Sequence, residues 1–235
     1  MIKLIVLGII FLFFLIGIIF SLKSYKNMIS VYNLYDSEFV YCGLTGYQFA
    51  VFAIQRLGLK TRIGQVEKDL EDCYIPSKDV IFLSKRTINS SSVSSICITA
   101  HELGHAVQNK KQSGLFVLQQ CLNVLGKVSL ALFPILLVTG LVLLFVPDKF
   151  DLGLVLLIIS FAMQVIVMLL KIFTIPMEME ASKIAYNFLK ENGVLVDDEL
   201  KHGKKVLNSA IGTYVASLFM PIIKFFRFLN RIFRS

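Results

Sequence analysis

Two stretches, VSLALFPILLVTGLVLLFV at residues 128–146 and LGLVLLIISFAMQVIVMLL at residues 152–170, decide the architecture of this chain. Each runs for roughly 19 residues without a charge, close to the number of apolar helical residues that crosses the hydrocarbon core of a bilayer. Pro147-Asp148-Lys149-Phe150-Asp151 joins them in a short turn, so the pair predicts a transmembrane helical hairpin. Residues 4–22 form a third uncharged run. It is longer than a signal-peptide core, and Phe20-Ser21-Leu22-Lys23 offers no small-x-small cleavage site, so it reads as an uncleaved anchor. Composition agrees with a membrane protein. Of 235 residues, 56% are hydrophobic and 17% charged, whereas water-soluble domains carry about 25% charged residues.

The formal net charge of +8 lies largely beside apolar runs, where lysine and arginine face the anionic cytoplasmic leaflet. It implies a lipid bilayer as partner and gives no reason to expect nucleic acid. Lys23, Lys26, Lys110, Lys111 and Lys127 lie on the side of the polar region, which favours a cytoplasmic orientation for it. Cys42, Cys73, Cys97 and Cys121 are far apart and lack C-x-x-C spacing, which predicts free buried thiols rather than a disulfide framework.

Between the anchor and the hairpin lies the one sizeable polar stretch. Thr45 and Gln48 form a capping-box pattern opening a helix over residues 46–57, which Gly58 closes. Residues 61–83 read as short strands around an acidic turn of Glu67, Asp69, Glu71 and Asp72. Residues 79–84 are the clearest strand and a candidate to align an extended peptide as an added strand. Ser90 to Ser92 can cap a helix carrying Val93, Ile96, Ala100 and Val107 at helical spacing. After the hairpin a second polar stretch, about 177–205, leads into an apolar segment from Val206, interrupted by Asn208, Ser209, Thr213 and Pro221. That segment ends in Lys224, Arg227, Arg231 and Arg234, which share one helical stripe, as on an interfacial helix.

His101-Glu102-Leu103-Gly104-His105 fits H-E-x-x-H. On a helix, positions i and i+4 share a face, so both imidazoles can converge on one zinc ion. The intervening glutamate lies about 100° round the helix, placed to take a proton from a zinc-activated water as that water attacks a peptide carbonyl. The chain has three histidines, and two of them fall at this spacing around a glutamate. Burying them near a membrane is costly without a metal or partner.

A catalytic zinc needs a third protein ligand and an open position. No further histidine follows at ligand spacing, and His202 sits in a lysine-rich stretch, so a carboxylate is expected. Glu178 and Glu180, in Met177-Glu178-Met179-Glu180-Ala181-Ser182, follow the hairpin, which returns the chain to the side it left. Spacing leaves both open.

Thr99-Ala100-His101-Glu102-Leu103-Gly104-His105-Ala106-Val107-Gln108 resembles the active-site helix of the YugP-type neutral zinc metallopeptidases. These are bacterial membrane proteins related in plan to HtpX and the CAAX prenyl proteases. Gly43-Leu44-Thr45-Gly46, Lys204-Lys205-Val206-Leu207-Asn208 and Thr213-Tyr214-Val215-Ala216 resemble further motifs of that family, so the likeness covers most of the chain. The family's Pro-x-Glu-x-x-Ala-Ser motif falls on Pro176, Glu178, Ala181 and Ser182, which implies Glu178 as the third ligand. In the related proteases an aspartate commonly stands where Ser182 stands; serine brings hydrogen bonding there but no charge. The chain departs from the family at Asp72-Cys73-Tyr74-Ile75-Pro76, where Asp-His-Tyr-Asp-Pro is usual, so no role carries over for that loop. Cys97, one turn before His101, reads as a core thiol, and Tyr214 as a structural tyrosine rather than an oxyanion donor.

The expectation is therefore a mainly α membrane protein with three or four transmembrane helices and a small α+β zincin-like insertion carrying the H-E-x-x-H helix. Its parts are an anchor (1–22), a zincin-like region (23–127), a transmembrane hairpin (128–171), a helix with the third ligand (172–205) and a C-terminal apolar segment with a basic tail (206–235). One Zn2+ per chain would be held by His101, His105 and Glu178, with Glu102 as general base. The expected partners are the bilayer and a peptide or membrane-protein substrate. Two rivals are a catalytically inactive zinc-binding membrane scaffold and a membrane-surface interaction protein. The sequence leaves oligomeric state and the physiological substrate open.

Overall fold

The computed structural model describes residues 2–217. The basic stripe Lys224, Arg227, Arg231 and Arg234 lies outside the described residues, as does the end of the last apolar segment. The chain runs through α1 (Ile2–Asp36), α2 (Gly46–Arg56), β1 (Arg62–Val66), β2 (Cys73–Ile75), β3 (Val80–Ser84), α3 (Lys85–Asn89), α4 (Val93–Lys110), α5 (Gly114–Leu143), α6 (Phe150–Glu191) and α7 (Asp197–Ser217). It is mainly helical with one small sheet. The described residues divide into two compact units, one of residues 2–24, 118–174 and 214–217, the other of residues 25–117 and 175–213.

The first unit contains the apolar hairpin. Gly126–Leu143 in α5 and Phe150–Val167 in α6 are each long and apolar enough to cross a membrane. Both windows are mostly exposed, unlike the core helix of a soluble protein, and Ile135, Val142, Ile158 and Ile166 point outward. The helices touch at small residues. A Cβ on Gly153 would meet the Gly140 carbonyl oxygen at 2.8 Å, and one on Gly140 would meet the Gly153 carbonyl oxygen at 3.0 Å. Such small-residue contacts suit apolar surroundings, where close backbone packing rather than hydrophobic burial holds helices together. The N-terminal apolar run lies within α1.

The second unit is built around β3. The sheet order is β1-β3-β2, with β1 parallel and β2 antiparallel to β3. Four of the five β3 residues are buried, in keeping with a short continuous apolar run covered on both faces. This corrects the reading of residues 79–84 as a strand that could accept a peptide: β3 is paired on both sides, and among the described residues the unpaired edges belong to β1 and β2. Asp79 lies outside the strand, in the left-handed region at φ 46°, where its carboxylate accepts hydrogen bonds from Thr61 and Tyr74.

Local signals formed as their chemistry predicts. The Thr45 hydroxyl accepts the Gln48 amide while the Gln48 side chain accepts the Thr45 amide, and Gly58 ends the element at φ 60°. The Ser92 hydroxyl accepts the Ser95 amide at the start of α4 and donates to Asp36 at the end of α1. Asp36 also pairs with Arg86 of α3, fastening three elements together. Phe49, Ile81, Leu83, Ile96, Leu103, Met177, Leu189 and Leu195 form the centre of the unit's core. Of the thiols whose side chains are described, all three are free, but only Cys97 is buried. Cys42 stands exposed in the turn before α2, and Cys73 is half-buried. The expectation of buried thiols therefore holds for one of the three.

Candidate functional site

Fifteen of the eighteen residues of α4 are buried, so its polar side chains must find partners inside the unit. His101 and His105, one turn apart, are each 7% exposed, with ring centroids 4.8 Å apart in an edge-to-face arrangement. Glu178 reaches them from α6, two residues after Pro176, and is wholly enclosed. Its Oε2 lies 3.3 Å from Nε2 of His101 and 3.3 Å from Nε2 of His105. The other ring nitrogens face away: His101 Nδ1 lies 3.1 Å from Ser182 Oγ, and His105 Nδ1 lies 3.0 Å from Gln108 Oε1. Two Nε2 atoms and one carboxylate thus point at a common centre.

Gly104 permits that approach. A Cβ there would sit 2.5 Å from the carbonyl oxygen of Ala181 and 3.1 Å from its Cα, so α4 and α6 pack with nothing but a hydrogen atom between their backbones. Gln108, 1% exposed, completes the link between the two helices. Its Nε2 donates to the carbonyl of Met177 at 2.9 Å and to Glu180 Oε2 at 2.7 Å.

The electrostatics describe a charged pair. Burial opposes the Glu178 charge, but the two imidazoles beside it outweigh burial and hold its carboxyl down to about 2. Burial likewise favours neutral His105, yet Glu178 dominates and lifts the imidazole to about 9. Glu102 differs. Burial raises its carboxyl, Glu178 and Asp72 add to the rise, and the two histidines offset part of it. It keeps a 9% exposure where Glu178 has none.

The donor set fits zinc. With ligands at about 2.0–2.1 Å in a tetrahedron, neighbouring donor atoms stand about 3.3 Å apart, which is the separation of Glu178 Oε2 from both Nε2 atoms. The three donor atoms all lie within 4.8 Å of one another. Among the described residues, the buried carboxylate oxygens of Glu178 are faced by the two imidazoles and make no other hydrogen bond. Enclosing a carboxylate is costly without a cation or donors beside it, and a coordinated cation would offset that cost.

A family model described as "Putative neutral zinc metallopeptidase" matches residues 9–233. The chain belongs to this family. It is also similar to the "Putative membrane protease YugP" of Bacillus subtilis (strain 168), with 29% identity over 188 residues that cover 80% of each chain. No solved structure matches.

Within this family member, the residues weighed from sequence fall into two groups. His101, His105 and Glu178 come together, with Glu102 on the neighbouring face of α4 and Ser182 behind His101. The others are employed elsewhere. Glu180 accepts from Gln108 and Ser113. His202 pairs with Glu38 and stacks on Tyr35. Cys97 is sealed in the core, its Sγ only 2.9 Å from where a Cβ on Gly203 would stand, and burial pushes its thiol far up. The Tyr214 side chain is not among those described. In the loop that departs from the family pattern, Asp72 accepts the Ser84 amide at 2.7 Å. Tyr74 accepts from Asn109 of α4 at 2.7 Å. Gln108 and the close contact at Gly104 escaped the sequence reading. The available signal was an amide three residues after His105, on the buried face of the same helix.

Proposed function

We propose that this chain is a membrane-embedded zinc peptidase that hydrolyses peptide bonds in peptides or membrane proteins, holding one Zn2+ through His101, His105 and Glu178. The observation that carries the reading is the fully enclosed Glu178 carboxylate, 3.3 Å from two inward-facing imidazole nitrogens and making no other hydrogen bond among the described residues. Zinc held there would supply a Lewis acid able to bring the pKa of a water near neutrality. Glu102 would take up a proton as the attacking water reacts, and its raised affinity for protons would suit it to pass that proton to the departing amine. The β2 edge, free in the sheet, aligns an extended substrate. Its first residue, Cys73, lies within the electrostatic field of Glu102. Three or four helices cross the bilayer, the N-terminal run in α1 among them, and the site faces the cytoplasm, the side favoured by the lysines flanking the polar region.

Metal analysis of the protein purified in mild detergent should give about one zinc per chain, and the protein should cleave an unfolded substrate such as casein. A chelator should abolish cleavage and added zinc should restore it. Zinc-free protein, or chelator-insensitive cleavage, would sink the reading.

Zinc uptake should also depend on pH. Without zinc, the Glu178 carboxylate stabilises protonated His105. That contribution is fully present below the ordinary imidazole pKa near 6.5 and is lost as pH rises through about 9. Zinc takes the neutral imidazole and must displace this proton. Apparent zinc affinity, measured by chelator competition, should therefore climb by up to about tenfold per pH unit from pH 6.5 toward 9. A flat profile would mean that the proton is not there to be displaced.

A further inference from the structure

Gln108 makes three contacts that together settle the proton inventory of His105. Its Nε2 faces the backbone carbonyl of Met177, which can only accept, so that end of the side chain must be the amide NH2. The opposite end, Oε1, then faces His105 Nδ1 at 3.0 Å. An amide oxygen can only accept, so Nδ1 must carry the hydrogen. A neutral imidazole protonated at Nδ1 has its lone pair on Nε2, the nitrogen that faces Glu178. Glu180 accepts the second amide proton at 2.7 Å and so reinforces the same orientation. Ser182 does nothing equivalent for His101, because a hydroxyl can donate or accept with equal ease.

We propose that Gln108 is a positioning residue of the metal site. It holds His105 in the Nδ1–H form with Nε2 free for zinc, and ties that ligand to the α6 backbone at the residue before Glu178. Glu180 acts through Gln108 as the anchor of its amide. This rests on the zinc reading above and deepens it. One side chain, 1% exposed, couples the ligand from α4 to the ligand from α6.

The test compares wild type with Gln108→Met and Gln108→Glu, close in size, as full-length protein in detergent. Methionine offers no acceptor to Nδ1–H, and glutamate keeps the acceptor while losing both donations. Zinc affinity by chelator competition should fall about 10–100-fold in Gln108→Met, the usual cost of losing a group that orients a metal-bound histidine. With only three histidines in the chain, the imidazole N–H protons of the zinc-loaded, 15N-histidine-labelled protein can be resolved by NMR. The His105 Nδ1–H should exchange slowly in wild type and in Gln108→Glu and rapidly in Gln108→Met, while the His101 Nδ1–H, which faces Ser182, should exchange alike in all three. A merely structural role would leave that resonance unmoved. If Gln108→Met fails to fold, Gln108→Glu decides alone: a retained slow N–H supports the assignment, and a lost one overturns it. Zinc affinity within threefold of wild type with the resonance intact in Gln108→Met also overturns it. Wild type that binds no zinc would instead remove the reading on which it stands.

Discussion

Glu178→Ala should leave the purified protein without stoichiometric zinc and without peptidase activity, while Glu180→Ala should keep its metal. The two glutamates are separated by a single residue, so composition, depth along α6 and distance from Pro176 are nearly matched. Their surroundings are not. Glu178 is fully enclosed against both imidazoles, and its removal leaves two nitrogens where zinc requires three protein ligands. The expected loss in zinc affinity is more than the about 100-fold seen when a mere orienting partner is removed. Glu180 meets the amide of Gln108 and the hydroxyl of Ser113, so its loss should weaken zinc by less than about tenfold. Metal content after gel filtration, read beside affinity from chelator competition, separates the cases. Equal zinc in both variants would refute the assignment of Glu178.

The second large effect is expected from Glu102→Gln. The substitution keeps size and hydrogen-bonding capacity and removes only the ability to take up a proton. If Glu102 is the general base, kcat should fall by about 10²–10⁴-fold with zinc content unchanged and KM little altered. Because glutamine also removes a carboxyl held high by burial and by Glu178 and Asp72, the variant should be no less stable thermally than wild type. A protein that retains cleavage after this change uses some other base. One that never cleaved, with or without Glu102, would be the inactive scaffold.

Much of this was legible in the residues because it is local. The His101–His105 spacing, the Thr45–Gln48 cap, the serine before α4 and the two apolar runs with their short turn each depend on neighbours a few positions away. The structure forms each of these local elements. What the sequence concealed is nonlocal. That β3 would be the middle strand follows from which strands find each other across loops of different lengths, and no residue in 79–84 announces it. Spacing could not separate Glu178 from Glu180. The likeness to the family's Pro-x-Glu-x-x-Ala-Ser pattern pointed to Glu178, and only the three-dimensional contact shows it against both imidazoles. Boundaries drawn by polarity at 171/172 and 205/206 fall inside α6 and α7, because a helix continues as long as its backbone is satisfied, whatever the solvent around it. Gln108 read as a helix continuation, since an amide declares a role only when its partners are known.

The contact at Gly104 has a consequence for how this protein can drift. Leu103 fills a general apolar space, and other aliphatic side chains of similar volume could replace it. Position 104 has no such latitude: the smallest possible addition already collides with the main chain of the opposing helix, and a main-chain carbonyl cannot rotate aside as a side chain can. The gap there acts as a gauge, calibrated to the width of one hydrogen, that sets how far the carboxylate stands from the imidazoles. Among sequences that keep the His101, His105 and Glu178 cluster, this small residue should tolerate as little change as those three side chains, though it contributes no donor atom.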